Sequence, residues 1–113
     1  MDISILPGGK YKLNKSHLYY SPRYKASITL PAGMESDGAT GLFIPDLMSE
    51  SWWVHDRICD YPFFDDHRKI TAIQAATILS DILKAEGRVI RSYLWKYATF
   101  FFGCTKTRQN GWW

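Results

Sequence analysis

The stretch from Thr71 to Gly87 leaves little freedom in what this chain can become. Thr71-Ala72-Ile73-Gln74 has the form of a capping box, with a hydroxyl at the cap and an amide three residues on, each able to satisfy a backbone donor of the other. Ile73, Ala76, Leu79 and Leu83, flanked by Ala75, Ile78 and Ile82, then recur with helical period as a broad apolar stripe. Gly87 sits where a left-handed residue closes a helix. The spacing predicts a helix over about 72–86. Most of the stability of such a helix comes from packing, so the rest of the chain must supply a core for it.

The first third reads as β structure. The runs 10–13, 17–20 and 24–30 are rich in Tyr, Ile, Leu and Thr, and Asn14-Lys15-Ser16 and Ser21-Pro22-Arg23 are turn-forming clusters between them. An antiparallel meander within residues 1–32 is expected, broken at Pro31-Ala32-Gly33. A long glycine-containing loop over 33–48 follows, with Asp37-Gly38-Ala39-Thr40-Gly41 at its centre. Ser49 is a plausible N-cap with Glu50 in the first turn of a helix that ends at Tyr61-Pro62. At helical spacing Trp52, His55, Ile58 and Cys59 share one face of it. Residues 60–69 read as a surface loop. A third helix over about 90–102 carries Tyr93, Leu94, Tyr97, Phe100 and Phe101 at similar spacing, ends at Gly103 and leaves a tail over 104–113. The fold class is therefore α+β, a small N-terminal β-meander, a long loop and three helices in a single domain over 1–113.

Composition narrows the function classes. Apolar residues make up 46% and charged residues 22%, so the chain has enough apolar material to fold. The net charge of +3 is spread out, with no block of like charges to grip phosphates, and no specific nucleic-acid partner is expected. No apolar run reaches membrane-spanning length, and residues 1–7 lack the basic start and apolar stretch of a secretory signal. Cys59 and Cys104 lack metal-ligand spacing and read as small buried thiols. Five Trp, seven Tyr and six Phe suit either a core or an interface. Trp112 and Trp113 are a docking anchor for a partner if the tail does not fold back on its own domain.

Three pieces in order, Leu30-Pro31-Ala32-Gly33 leading to Asp37-Gly38-Ala39-Thr40, then Val54-His55-Asp56, then Leu83-Lys84-Ala85-Glu86-Gly87, resemble a domain-of-unknown-function family of small tailed-phage and prophage proteins. The resemblance spans roughly 26–103. It implies a phage or prophage origin, synthesis in the host cytoplasm and no established activity. The leading expectation is an accessory protein acting by protein–protein contact, a minor virion component of tail, neck or baseplate. Its partners would be other phage structural proteins or a second copy of the chain, with no cofactor. A host-directed inhibitor is a further alternative.

The His55-Asp56 pair behind a glycine-containing loop also looks distantly like the active site of secreted-type phospholipases A2. That resemblance implies a hydrolase with His55 as base and Asp56, with Asp37, as ligands of calcium or another divalent ion. Two positions depart from the pattern. Relatives carry an aspartate on the following helix where this chain has Ala76, and a tyrosine where it has Cys59. Asp81, five residues beyond Ala76, falls on a different face. The other reading of the pair is structural: His55 makes one internal hydrogen bond in an apolar face, and Asp37 or Asp56 ties the loop to the helix.

Overall fold

The computed structural model describes residues 2–8, 10–36, 50–102, 107 and 110–113. Its elements are β1 (Ile3–Ile5), β2 (Tyr11–Leu13), β3 (His17–Ser21), β4 (Ala26–Leu30), β5 (Glu35–Ser36), α1 (Glu50–Asp60), α2 (Ala72–Ala85) and α3 (Val89–Phe102), an α+β arrangement. Residues 37–48 of the predicted 33–48 loop, with Ser49 and Gly103, lie outside the described residues.

The strands do not form one meander. β3 and β4 make an antiparallel hairpin, pairing His17 with Leu30 and Ser21 with Ala26. β2 is the centre of a separate antiparallel sheet in the order β1-β2-β5, with Ile3 opposite Leu13 and Tyr11 opposite Ser36. Two strands of this sheet, β1 with three residues and β5 with two, were not legible in the sequence. What holds β5 is a long-range exchange: Gly33 N–H donates to Leu13 O at 2.7 Å and Leu13 N–H donates to Met34 O at 2.8 Å. Gly33 makes that return at φ +86, a conformation that suits glycine.

Alternation decides which strand residues enter the core. Along β4, Ala26, Ile28 and Leu30 are buried while Ser27 and Thr29 are half-buried. Ile28 and Leu30 meet Leu13 of β2, Trp53, Val54 and Ile58 of α1, and Ala75, Ile78 and Ile82 of α2 in one cluster. The segment read as a surface loop is only partly so. Residues 65–69 are exposed, but Phe64 and Ile70 are buried in that same cluster.

α2 is the central element, and both of its ends match the sequence expectation. Thr71 Oγ1 accepts from Gln74 N–H at 3.3 Å, and Gln74 Oε1 accepts from Thr71 N–H at 2.9 Å. At the other end Arg88 N–H donates to Leu83 O at 2.8 Å and Gly87 N–H donates to Lys84 O at 3.0 Å, with Gly87 at φ +81. This pair of crossed bonds closes the helix through the left-handed glycine. Ala75, Ile78 and Ile82 serve the main core, while Ala72, Ala76, Leu79 and Leu83 form a second buried row at helical spacing. α3 packs along α2 more extensively than any other pair of elements.

Cys59 is disulfide-bonded, which corrects its reading as a small buried thiol. Cys104 lies outside the described residues. Spacing on the chain carries no sign of a bridge, because pairing depends on how close the fold brings two sulfurs.

Candidate functional site

The residues singled out by the sequence fall into three places. His55 lies inside the protein. It projects from the buried side of α1 with 6% of its surface exposed, its ring edge-on to Trp52 at 6.5 Å between centroids. Burial pushes its pKa down from 6.5 to about 4, so the imidazole is neutral at neutral pH. Its Nδ1 is 3.6 Å from Cys59 Sγ. A disulfide sulfur has no proton to give, so that contact is a hydrogen bond only in the tautomer with the proton on Nδ1.

A general base works best with a pKa near the operating pH and with reach to a water. His55 has neither the basicity nor the solvent access. On α2 the position of the expected orienting aspartate is Ala76, fully buried. Asp81 is engaged elsewhere. It accepts from Arg23 Nε at 2.7 Å and from Arg23 Nη2 at 2.9 Å, pinning the β3–β4 turn to α2.

Asp56 lies on a different side of α1 from His55, half-buried, and accepts from Ser36 Oγ at 2.5 Å. This bond ties β5 to α1. Asp37, the other proposed metal ligand, lies outside the described residues. Among the described residues there is no group of three or more His, Cys, Asp or Glu side chains that could hold a metal ion.

The neighbouring Arg57 went unnoticed in the sequence and has a clear task. Its guanidinium donates to Tyr61 O at 2.6 Å, Phe63 O at 3.0 Å and Thr29 O at 3.3 Å. It thereby fastens the end of α1 to β4 and to the following segment. Asp65 completes the junction, accepting from Thr29 N–H at 3.0 Å and Thr29 Oγ1 at 2.6 Å.

Trp112 and Trp113 do fold back. Ala72 N–H donates to Trp112 O at 2.8 Å and Ile73 N–H donates to Trp113 O at 2.9 Å. A helix leaves its first amide donors without internal partners. Here the tail supplies two acceptors and Thr71 Oγ1 supplies the next, so the start of α2 is fully satisfied. The Trp112 ring is edge-on to Phe63 at 5.5 Å with Lys69 Nζ 5.3 Å from its centroid, and Trp113 is edge-on to Phe100 at 6.3 Å. The condition under which the two tryptophans would be a free docking anchor is therefore not met, although Trp113 remains 56% exposed.

The face that is turned to solvent is on α3. Ile90 is 78% exposed, Leu94 63%, Tyr97 62% and Tyr93 50%, with Val89 at the same edge. At 100° per residue these five side chains occupy one continuous arc, and no polar residue of the helix falls inside it. Towards α2 the helix instead presents Ser92 and Thr99, both buried, with Trp95 half-buried and edge-on to Trp52 of α1 at 4.8 Å. The two hydroxyls are accommodated because each bonds back to its own helix, Ser92 Oγ to Val89 O at 2.5 Å and Thr99 Oγ1 to Trp95 O at 2.7 Å. α3 thus carries its hydroxyls inward and its apolar stripe outward. A run of apolar residues at helical period was visible in the sequence; its direction was not.

Among the described residues no helix is long and apolar enough to cross a membrane. No family model matches the chain, and neither a curated protein nor a solved structure matches it.

Proposed function

We propose that this chain is a non-catalytic accessory protein that works by contact through the outer face of α3. The observation that carries the reading is the orientation of that helix. Contiguous exposed apolar patches mark interaction sites, and leaving Ile90, Leu94 and both tyrosines in water is unfavourable for an isolated domain. The burial of His55, which lowers its basicity, and the bond from Ser36 to Asp56 favour this reading over a catalytic one.

The resemblance of the Asp37-Gly38-Ala39-Thr40 and Val54-His55-Asp56 pieces to small tailed-phage and prophage proteins supports a phage or prophage setting for this role. Within it, a minor virion position is tested by mass spectrometry of purified particles. A fixed copy number relative to a known head or tail protein supports that position, and absence from particles removes it.

The contact role itself is tested by Leu94→Glu and His55→Leu in the encoding phage or prophage, with each variant first shown to fold. The contact reading expects Leu94→Glu to abolish the protein's contribution to phage yield and His55→Leu to preserve it. A hydrolase using His55 and Asp56 expects the reverse.

A further inference from the structure

The exposed arc of α3 has a second property, its charge setting. Over residues 87–113 the sequence contains Arg88, Arg91, Lys96, Lys106 and Arg108 and no Asp or Glu, while the whole chain has a net charge of only +3. The last quarter is therefore basic and the remainder is slightly acidic. On α3 itself the two cationic positions flank the apolar arc. At 100° per residue, the Lys96 position falls about 20° outside one edge, next to Val89, and the Arg91 position about 60° outside the other, beyond Ala98. Beside the arc, Lys84 at the end of α2 holds its Nζ 4.5 Å from the centre of the Tyr93 ring.

This arrangement discriminates between occupants. In a symmetric pair, two copies of α3 would bring two carboxylate-free basic segments face to face, and like charges oppose such a contact. An apolar arc with no hydrogen-bonding backbone groups, with Lys96 at its border and Lys84 beside it, fits an anionic bilayer surface. There the apolar side chains enter the boundary of the acyl region, tyrosine rings sit at headgroup level and long cationic side chains reach phosphates. Length fits as well. The 14 residues of α3 extend about 21 Å, too short to cross a hydrocarbon core of about 30 Å but suited to lying in its interface. The exposed apolar area, on the order of 500 Å², is near the upper end of what monomers leave uncovered.

We propose that the outer face of α3 binds the surface of an anionic lipid bilayer, with Ile90, Tyr93, Leu94 and Tyr97 inserted at the interface and Lys84 and Lys96 meeting lipid phosphates. The proposal rests on the reading of this face as the contact surface and names its partner.

The test is flotation of the full chain with vesicles of phosphatidylcholine alone and of phosphatidylcholine mixed with phosphatidylglycerol, alongside equilibrium sedimentation without lipid. Partitioning is expected to be at least about tenfold stronger on the phosphatidylglycerol vesicles and to fall in high salt. Leu94→Glu is expected to weaken it about tenfold or more with an unchanged circular dichroism spectrum and melting curve. Lys96→Gln combined with Lys84→Gln is expected to reduce binding to anionic vesicles while leaving any residual binding to neutral vesicles unchanged.

Absence of binding to both vesicle types overturns the proposal, as does a Leu94→Glu variant that binds like the wild type. A concentration-dependent dimer that Leu94→Glu abolishes, without vesicle binding, overturns it in favour of a second copy. Failure on vesicles combined with loss of phage yield in Leu94→Glu would reject lipid as the partner and retain the contact role. Loss of neither would reject both.

Discussion

Acidification should expose the cost of burying His55. In the unfolded chain its imidazole titrates near 6.5, whereas burial lowers the folded value to about 4. Between these values the unfolded state binds a proton that the native state refuses, so the native state loses stability as pH falls through 6.5. The loss levels off below about 4, where the native state also binds the proton. At 1.36 kcal/mol per pKa unit, linkage gives a loss of about 2 kcal/mol by pH 5 and about 3 kcal/mol by pH 4. A domain of this size has a total stability of roughly 5–15 kcal/mol, so the effect is readily measured. Urea unfolding followed by circular dichroism at pH 7 and pH 5 would compare wild type with His55→Leu, a non-titrating residue of similar bulk. The wild type should lose about 2 kcal/mol more than the variant over that interval. Equal losses would show that His55 is not a buried neutral imidazole, and an NMR titration placing its pKa near 7 would return it to the list of candidate bases.

Three further outcomes follow from the packing. Ser80 Oγ is buried and has no hydrogen-bond partner among the described residues, so Ser80→Ala should stabilise the protein by about 1 kcal/mol in urea unfolding. Removing Trp112 and Trp113 strips two acceptors from the start of α2 and the Trp112 ring from Phe63 and Lys69, and should cost about 2–4 kcal/mol. A fall below 0.5 kcal/mol on calorimetric melting, an order set by ordinary surface changes of about that size, would show the tail is not a cap. Reduction with dithiothreitol, or Cys59→Ser, should lower stability by about 2–4 kcal/mol, and an unchanged melting temperature would argue against the disulfide.

The helices were legible because their information is local. Thr71 and Gln74 are three residues apart and Gly87 directly follows the cap residue Glu86, so both ends of α2 could be placed before any tertiary contact was known. The hairpin of β3 and β4 was legible for the same reason, with a short turn between two β-prone runs. β5 was not, since two residues carry no pattern and their strand character comes from Tyr11 and Lys12 of a distant strand. Asp56 was legible as a chemical group, but its partner Ser36 lies twenty residues earlier and only folding brings the two together.

The α+β class, the three helices and the apolar period of α3 were thus determined by the sequence alone, because caps and periodicity depend on neighbours within a few residues. The tertiary structure decided the direction of that period. Ser92 and Thr99 can face α2 because each satisfies its hydroxyl on its own helix, which leaves Ile90, Tyr93, Leu94 and Tyr97 to solvent. Tertiary structure also decided that His55 is enclosed and that the two tryptophans of the tail cap α2, since burial and long-range hydrogen bonds depend on which distant segments arrive to cover a side chain or meet a donor.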